Sequence, residues 1–442
     1  MLPSRPTPAS LRLAVKRAVA RAVRSALVRH VRAQPRPEDL AGAERRVYIV
    51  LVSAWGMGGT IRAALNLAGY LADHYEVEVI SVFRRRDESF FGSFPPGIKV
   101  TALDDQRPES LPRGLRGLIR TLLRDRTSIL MHPIDHAAGE FNLWIDVRLA
   151  RKLHRKAGYL ITTRPGLNLL AGQLSPPGLT LVGQEQMHLG HHNKSLKAAM
   201  PRHYPKLDAL AVLTERDMDA YAKLLRTGAN GSGNGRPRLV RIPNTVRELG
   251  GPKADLGAKT ILAAGRLAPQ KGFDLLIKAY AQVAPRHPDW HLRICGRGDM
   301  QPRLEELLDE YGVREHVTLA GPAERIGEEM AAASIFVLSS RFEGFPLVLL
   351  EAMSKGMAVV AYDCPTGPAD IIDDHRNGLI VPPKDVDALA AGIVEMIEDE
   401  QLRRRCGPAA VETASRYTMD RIGPHWDDLL RELPPASGLT AR

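Results

Sequence analysis

Residues 47–83 read VYIVLVSAWGMGGTIRAALNLAGYLADHYEVEVISVF, and the order of their parts decides the fold. An apolar run (47–55) enters a glycine-rich turn (GMGG, 56–59), a stretch with helical apolar spacing follows, and EVEVISVF (76–83) is a second apolar run. Strand, glycine turn, helix, strand is a βαβ unit, which requires a parallel sheet with helices on its faces. Working outward, SILMH (128–132), GYLITT (158–163), LTLVGQ (179–184), ALAVLT (209–214) and LVRIP (239–243) are further strand candidates. TGANGSGNGRP (227–237) reads as a polar, mobile loop between the last two.

RELGGPKADLGA (247–258) has the Gly, Pro and charge content of a linker, and a second βα series begins beyond it. TILAAGRL (260–267), HLRICG (291–296), VTLAG (317–321), SIFVLSS (334–340) and AVVAYD (358–363) read as strands, each followed by a helix-sized segment. DVDALAAGIVEMIED (385–399) is a helix with Leu389, Ile393 and Ile397 on one face. The fold class is therefore α/β with two parallel-sheet domains, expected at 46–246 and 247–415. A tail (1–45) precedes them, and a final helix (416–442) is expected to pack back on the domain junction. Open α/β sheets bind ligands at the carboxyl ends of their strands, which here border a shared cleft.

The composition fits this reading. Of 442 residues 44% are hydrophobic and 25% charged, a globular balance that excludes a largely disordered chain. No apolar run approaches the ~20 residues of a spanning helix. Cys295, Cys364 and Cys406 are an odd set with no CxxC pair, which argues against a disulfide framework and fits a reducing cytoplasm. The net charge of +11 is concentrated: Met1–Pro37 holds nine basic and no acidic residues, and 11 − 9 leaves +2 for the rest. A nucleic-acid surface is thus a poor reading of the folded body. In the tail, Leu11, Val15, Val19, Val23 and Leu27 recur every four residues among arginines. The spacing reads as a basic amphipathic helix able to lie on an anionic membrane surface, or as a solvated leader.

Chemistry concentrates in the second series. GRLAPQKG (265–272) puts Arg266 and Lys271 in one strand-to-helix loop, where two cations beside a helix N-terminus suit a diphosphate. SSRFEGFPLVLLEAMSKG (339–356) places Glu343 in a loop and Glu351 inside the helix that follows, with Gly344 and Pro346 at the turn. Carboxylates accept from sugar hydroxyls, and an unpaired one in so apolar a helix would be costly. In the first domain, VGQEQMHLGHHNKS (182–195) leaves a strand with Glu185, His188, His191 and His192 close together. A residue orienting an acceptor hydroxyl fits this stretch better than a metal site, with His188 preferred and His132 as its competitor.

These segments resemble the retaining glycosyltransferases of family four, which have the GT-B fold of two facing Rossmann-like domains. The resemblance rests on the ordered set G-R-L, K-G, E-G-F-P-L-x-x-x-E-A-M and G-P-x-D-I-I…N-G-L-I-V in the second half, with MGGTIRAALNLA (57–68) and RIPNTV (241–246) in the first. It spans roughly 46–415, and CPTGP is similar to bacterial members that make capsular polysaccharide, exopolysaccharide or teichoic-acid sugars. It implies a nucleotide diphosphate-sugar donor and a hydroxyl acceptor: a glycan, a lipid-linked glycan or a polyol-phosphate polymer. Arg266 and Lys271 would neutralise the diphosphate, Glu351 would hold the ribose and Glu343 the transferred sugar. Backbone N–H groups of Phe345 and Leu347 would touch sugar or phosphate, Gly59 would approach the diphosphate from across the cleft, and Asn244 would sit on the hinge rim. Neither metal nor cofactor is implied. Glu185, His188 and His132 remain the acceptor-side candidates. A nucleotide-sugar epimerase of the same fold and a non-catalytic sugar-binding protein are the alternatives, and the implied place is cytoplasmic or peripheral on the inner face of the plasma membrane.

Overall fold

The structure is a computed structural model describing residues 8–228 and 237–433. In chain order its first half comprises α1 (Pro8–Val31), α2 (Pro37–Leu40), β1 (Arg46–Leu51), α3 (Gly59–Leu71), β2 (Glu76–Arg84), β3 (Lys99–Asp105), α4 (Gly114–Arg124), α5 (Leu143–Leu153), β4 (Gly158–Thr162), α6 (Pro165–Leu174), β5 (Leu179–Gln184), α7 (Lys194–His203), β6 (Ala209–Val212), α8 (Glu215–Gly228) and β7 (Arg238–Arg241). The second half comprises β8 (Thr260–Ala264), α9 (Phe273–Val283), β9 (His291–Cys295), α10 (Gln301–Glu310), β10 (Val317–Gly321), α11 (Ile326–Ala331), β11 (Ile335–Leu338), α12 (Leu347–Ser354), β12 (Ala358–Tyr362), α13 (Pro368–Ile371), β13 (Leu379–Val381), α14 (Val386–Glu398), α15 (Glu400–Ser415) and α16 (Met419–Glu432).

The strands form two wholly parallel sheets, β3-β2-β1-β4-β5-β6-β7 and β10-β9-β8-β11-β12-β13. Helices cover both faces of a parallel sheet, so its central strands read as unbroken apolar runs. β4, β5, β6, β11 and β12 are buried at every position. Each sheet reverses its strand order once, between β1 and β4 and between β8 and β11. The loops leaving β1 and β8 therefore open a crevice at each reversal.

Three sequence expectations change. SILMH (128–132) is not a strand: its backbone is bound to side chains, with Ile129 N donating to Asp146 (2.7 Å) and Met131 N to Ser128 Oγ (2.9 Å). Leu130 and Met131 are apolar because this loop plugs the core, and burial raises the pKa of Asp146 to about 6. His132 consequently ends no strand; it is half-buried in this loop. The missing strand is β3, an edge strand whose partly exposed positions give a weak apolar signal. Third, the tail is no detachable leader. α1 packs on α5 and α6, Val31 is buried, Arg32 Nε donates to the Leu174 carbonyl (3.0 Å), and His30 stacks on His154. Of the apolar stripe, Leu27 joins the core while Val15 and Val19 stay exposed. The loop expected at 227–237 lies for the most part outside the described residues.

α16 follows the second sheet in sequence but packs on the first. Ile422, Trp426, Leu429 and Leu430 join the cluster around α3, Tyr70 donates to Asp427, and Tyr159 donates to the Leu430 carbonyl (2.9 Å). The chain thus crosses between domains twice, at 242–259 and again before α16. Removing a fully buried Trp typically costs ~3–5 kcal/mol. Trp426→Ala is expected to lower the thermal midpoint by several degrees; an unchanged midpoint would mean that α16 is not held on the first domain.

Candidate functional site

The loop after β8 and the loop after β11 meet at the reversal of the second sheet. Gly272 sits at φ 64°, and a Cβ there would strike the Ser339 carbonyl, so glycine is required for the two loops to touch. That contact aligns Lys271 with Glu343: Lys271 Nζ donates to Glu343 Oε1 (2.6 Å), and Ser340 Oγ donates to the same oxygen (2.6 Å). Glu343 is only 5% exposed. The 365–367 loop holds the other side, with Glu343 N donating to the Pro365 carbonyl (2.8 Å) and Thr366 N to the Glu343 carbonyl (3.1 Å). Arg266 leaves the end of β8 with its side chain exposed, next to Gly265, over which the Lys271 stem folds.

Glu351 lies one turn inside α12 and is also 5% exposed. Its partners come from outside its own sheet: Arg62 of α3 donates to it, and Arg247 of the linker lies 3.3 Å away. Burial lowers the Arg62 pKa, and Glu351 pulls it the other way. The sequence reading missed Arg62, although a signal was present. A cation in the first turn opposes the helix dipole, so Arg62 at the fourth position of α3 needs a carboxylate to offset it. Gly59, at the start of α3, faces Leu347 at the start of α12; a Cβ on Gly59 would lie 3.8 Å from Leu347 Cδ1. Two helix N-termini, α3 and α12, therefore converge from the two domains.

One of the expected backbone donors is already engaged. Pro346 adopts φ −79° and ψ 79°, an inverse γ-turn in which Leu347 N donates to the Phe345 carbonyl (2.9 Å). The Leu347 N–H expected to face a ligand is thus engaged in the turn. Phe345 turns its ring into the core beside Tyr417.

The first domain closes on this loop. A Cβ on Gly344 would strike the Gln186 carbonyl, so only glycine permits the approach. Gln186 pairs reciprocally with Asn244 through their side-chain amides (2.8 and 3.2 Å), which fixes the start of the linker. His191 stacks on Phe342 (4.4 Å between centroids), and His188 lies 6.2 Å from the same ring, beside the residue that precedes Glu343. Burial and the neighbouring histidines push the His188 pKa down to about 4. His136, also unanticipated, stacks on His191. Glu185 has an interior place instead: it accepts from Asn168 Nδ2 (2.8 Å) and Tyr204, with His192 3.3 Å away. Its carboxylate braces the loop rather than lining the cleft, and His132 accepts from Ile134 N within its own turn (3.4 Å). Among the described residues no group of three or more His, Cys, Asp or Glu is arranged to hold a metal ion. Burial pushes the Cys364 thiol, near Glu343, up to about 12, so it is no ready nucleophile.

Residues 250–413 match the family model described as glycosyl transferases group 1. Over 398 residues the chain is 38% identical to an exopolysaccharide phosphotransferase of Streptomyces coelicolor, covering 87% of this chain and 41% of that protein. It is 24% identical over 294 residues to a poly(glycerol-phosphate) alpha-glucosyltransferase of Bacillus subtilis, covering 66% of this chain and 43% of that one. The chain thus spans less than half the length of either relative. Among solved structures it is similar to TarM of S. aureus in complex with fondaparinux, alpha-GlcNAc-glycerol and UDP, with a TM-score of 0.68 at 14% identity over 88% of this chain and 100% of that one. The fold is GT-B. In GT-B terms the two reversals described above are the facing edges of its two Rossmann-like domains.

The depressed His188 pKa has a measurable consequence. Between pH 6.5 and about 4 the unfolded chain binds a proton that the folded ring refuses, so stability falls as pH drops through this window. His191 shifts in the same direction, from burial and its neighbours His192 and His136. His188→Asn is expected to lose less stability than the parent between pH 7 and pH 5, read from urea midpoints. Equal losses would mean that His188 is not held neutral at the domain seam.

Proposed function

We propose that this chain transfers a sugar from a nucleoside diphosphate-sugar donor to a hydroxyl acceptor, with retention of anomeric configuration, in cell-surface polysaccharide or teichoic-acid synthesis. The observation that carries this reading is the Lys271–Glu343 pair at the strand reversal, followed by α12, whose Glu351 and Leu347 meet Arg62 and Gly59 of the other domain. The matched glycosyl transferases group 1 model supports it, as do the name of the Bacillus subtilis relative and the UDP bound to TarM.

In this reading Lys271 and Arg266 meet the diphosphate, and the α12 N-terminus adds its partial positive charge. Charge builds on the leaving phosphate as the glycosidic bond breaks, so fixed cations stabilise the transition state more than the bound donor. The acceptor hydroxyl attacks the anomeric carbon from the face the phosphate leaves. The new C–O bond forms as the C–O bond to phosphate breaks, and the departing phosphate oxygen takes the hydroxyl proton. Glu343 holds a sugar hydroxyl beside that carbon. Glu351 accepts from the ribose hydroxyls on the carboxylate whose Oε1 also accepts from Arg62. His188, neutral at the seam, accepts from the acceptor hydroxyl and orients it. No metal enters this scheme.

The test is release of nucleoside diphosphate from UDP-glucose, UDP-N-acetylglucosamine and GDP-mannose with poly(glycerol phosphate) or glycerol as acceptor. Glu343→Ala and Lys271→Ala are each expected to lower turnover ~10²-fold or more, the scale of losing one transition-state contact. Near-parental turnover in both removes the site assignment. Donor converted to its epimer without acceptor would favour an epimerase instead.

A further inference from the structure

Helix α4 is packed inside out for a helix facing water. Its inner side is polar: Arg120 is 6% exposed and donates to Asp104 at the end of β3 (2.9 Å), with Arg124 3.6 Å from the same carboxylate. Its outer side is apolar, with Leu115 73% exposed, Leu118 60%, Ile119 42% and Leu122 57%. These positions follow the i, i+3, i+4, i+7 spacing of one helical face, and Leu111 of the preceding loop, 41% exposed, extends it. Single exposed leucines are ordinary on soluble proteins, whereas a contiguous stripe marks a surface that something covers.

The charge around the stripe says what covers it. Arg113, Arg116 and Arg126 are exposed beside it. Against the helix lies a cavity of about 380 Å³ lined by Arg85, Arg120, Arg124 and Arg126, with Asp125 and Glu140 as its acidic members. Within it Arg85 is paired with Glu140, and Arg120 and Arg124 with Asp104, so the cations beside the apolar ridge are the exposed Arg113, Arg116 and Arg126. α5, which carries α4, also carries α1, whose exposed residues include Lys16, Arg17 and Arg21. An apolar face rimmed by arginines complements the interface of an anionic bilayer, where acyl chains take the leucines and lipid phosphates take the guanidiniums.

We propose that α4 docks the protein on an anionic membrane surface, its leucine face entering the headgroup layer and the exposed Arg113, Arg116 and Arg126 receiving lipid phosphate. α4 follows β3 at the carboxyl edge of the first sheet, the edge that also bears the candidate site. Docking there holds a lipid-linked acceptor on the first domain's side of the cleft. That last step rests on the transfer reading; the docking itself does not.

Co-sedimentation of the full chain with vesicles tests the docking. The parent is expected to bind phosphatidylcholine vesicles containing phosphatidylglycerol, to bind pure phosphatidylcholine at least tenfold more weakly, and to be released by salt. The double variant Leu118→Glu, Leu122→Glu is expected to lose at least tenfold in binding while keeping its thermal midpoint and its donor turnover with soluble acceptor. Arg113→Gln with Arg116→Gln is expected to weaken binding to the anionic vesicles alone. Parental binding by the leucine variant, no vesicle binding by the parent, or a parental dimer in light scattering that the leucine variant converts to monomer would each overturn the proposal.

Discussion

Two carboxylates taken out of water govern this structure. Glu343 and Glu351 are each 5% exposed, and a buried carboxylate without a cation is among the costliest things a fold can contain. Each is answered by a residue far away in sequence: Lys271 across the second sheet's strand reversal, Arg62 across the domain boundary. The first pairing requires the loops after β8 and β11 to touch, which Gly272 permits. The second requires the first domain to close on α12, which Gly344 permits. Local glycines and distant charges are thus parts of one constraint, and α16 strengthens it by returning the chain to the first domain.

Much of this was legible in the sequence because parallel sheets leave a strong imprint. Central strands such as Leu179–Gln184 and Ala358–Tyr362 are buried on both faces, so composition alone marks them. The failures have physical causes. Lys99–Asp105 is a half-exposed edge strand, and SILMH is an apolar loop whose backbone is satisfied by Asp146 and Ser128 rather than by a neighbouring strand. Apolar content reports burial, and burial is not confined to strands.

The site was legible in part. Lys271 and Glu343 meet as their shared sheet edge implied, since their loops leave adjacent strands. Arg62 was missed because its partner lies 289 positions away: a cation in the first turn of α3 calls for a carboxylate without saying which one. Glu185 leaves a strand at the right edge, yet it points inward to Asn168 and Tyr204; strand-end position gives proximity to a cleft but not side-chain direction. The Leu347 N–H shows the same limit on a smaller scale, since Pro346 bends the chain so that this donor is used within the turn. On α4 the apolar spacing was in the sequence throughout, but which face is outward depends on Asp104 capturing Arg120.

The relatives are more than twice as long as the matched region, so this chain's own residues must carry the account. Its central claim is that a saccharide joined to a pyrophosphate sits between the two domains against Lys271, Glu343 and Glu351. Thermal melting with UDP-, GDP- and ADP-sugars tests that claim most directly, because a ligand at ~100 times its Kd adds ~2.7 kcal/mol of stability. The account predicts that one nucleotide class raises the midpoint of the parent and leaves that of Glu351→Ala unmoved. No rise with any of the three, or an equal rise in the variant, would contradict it.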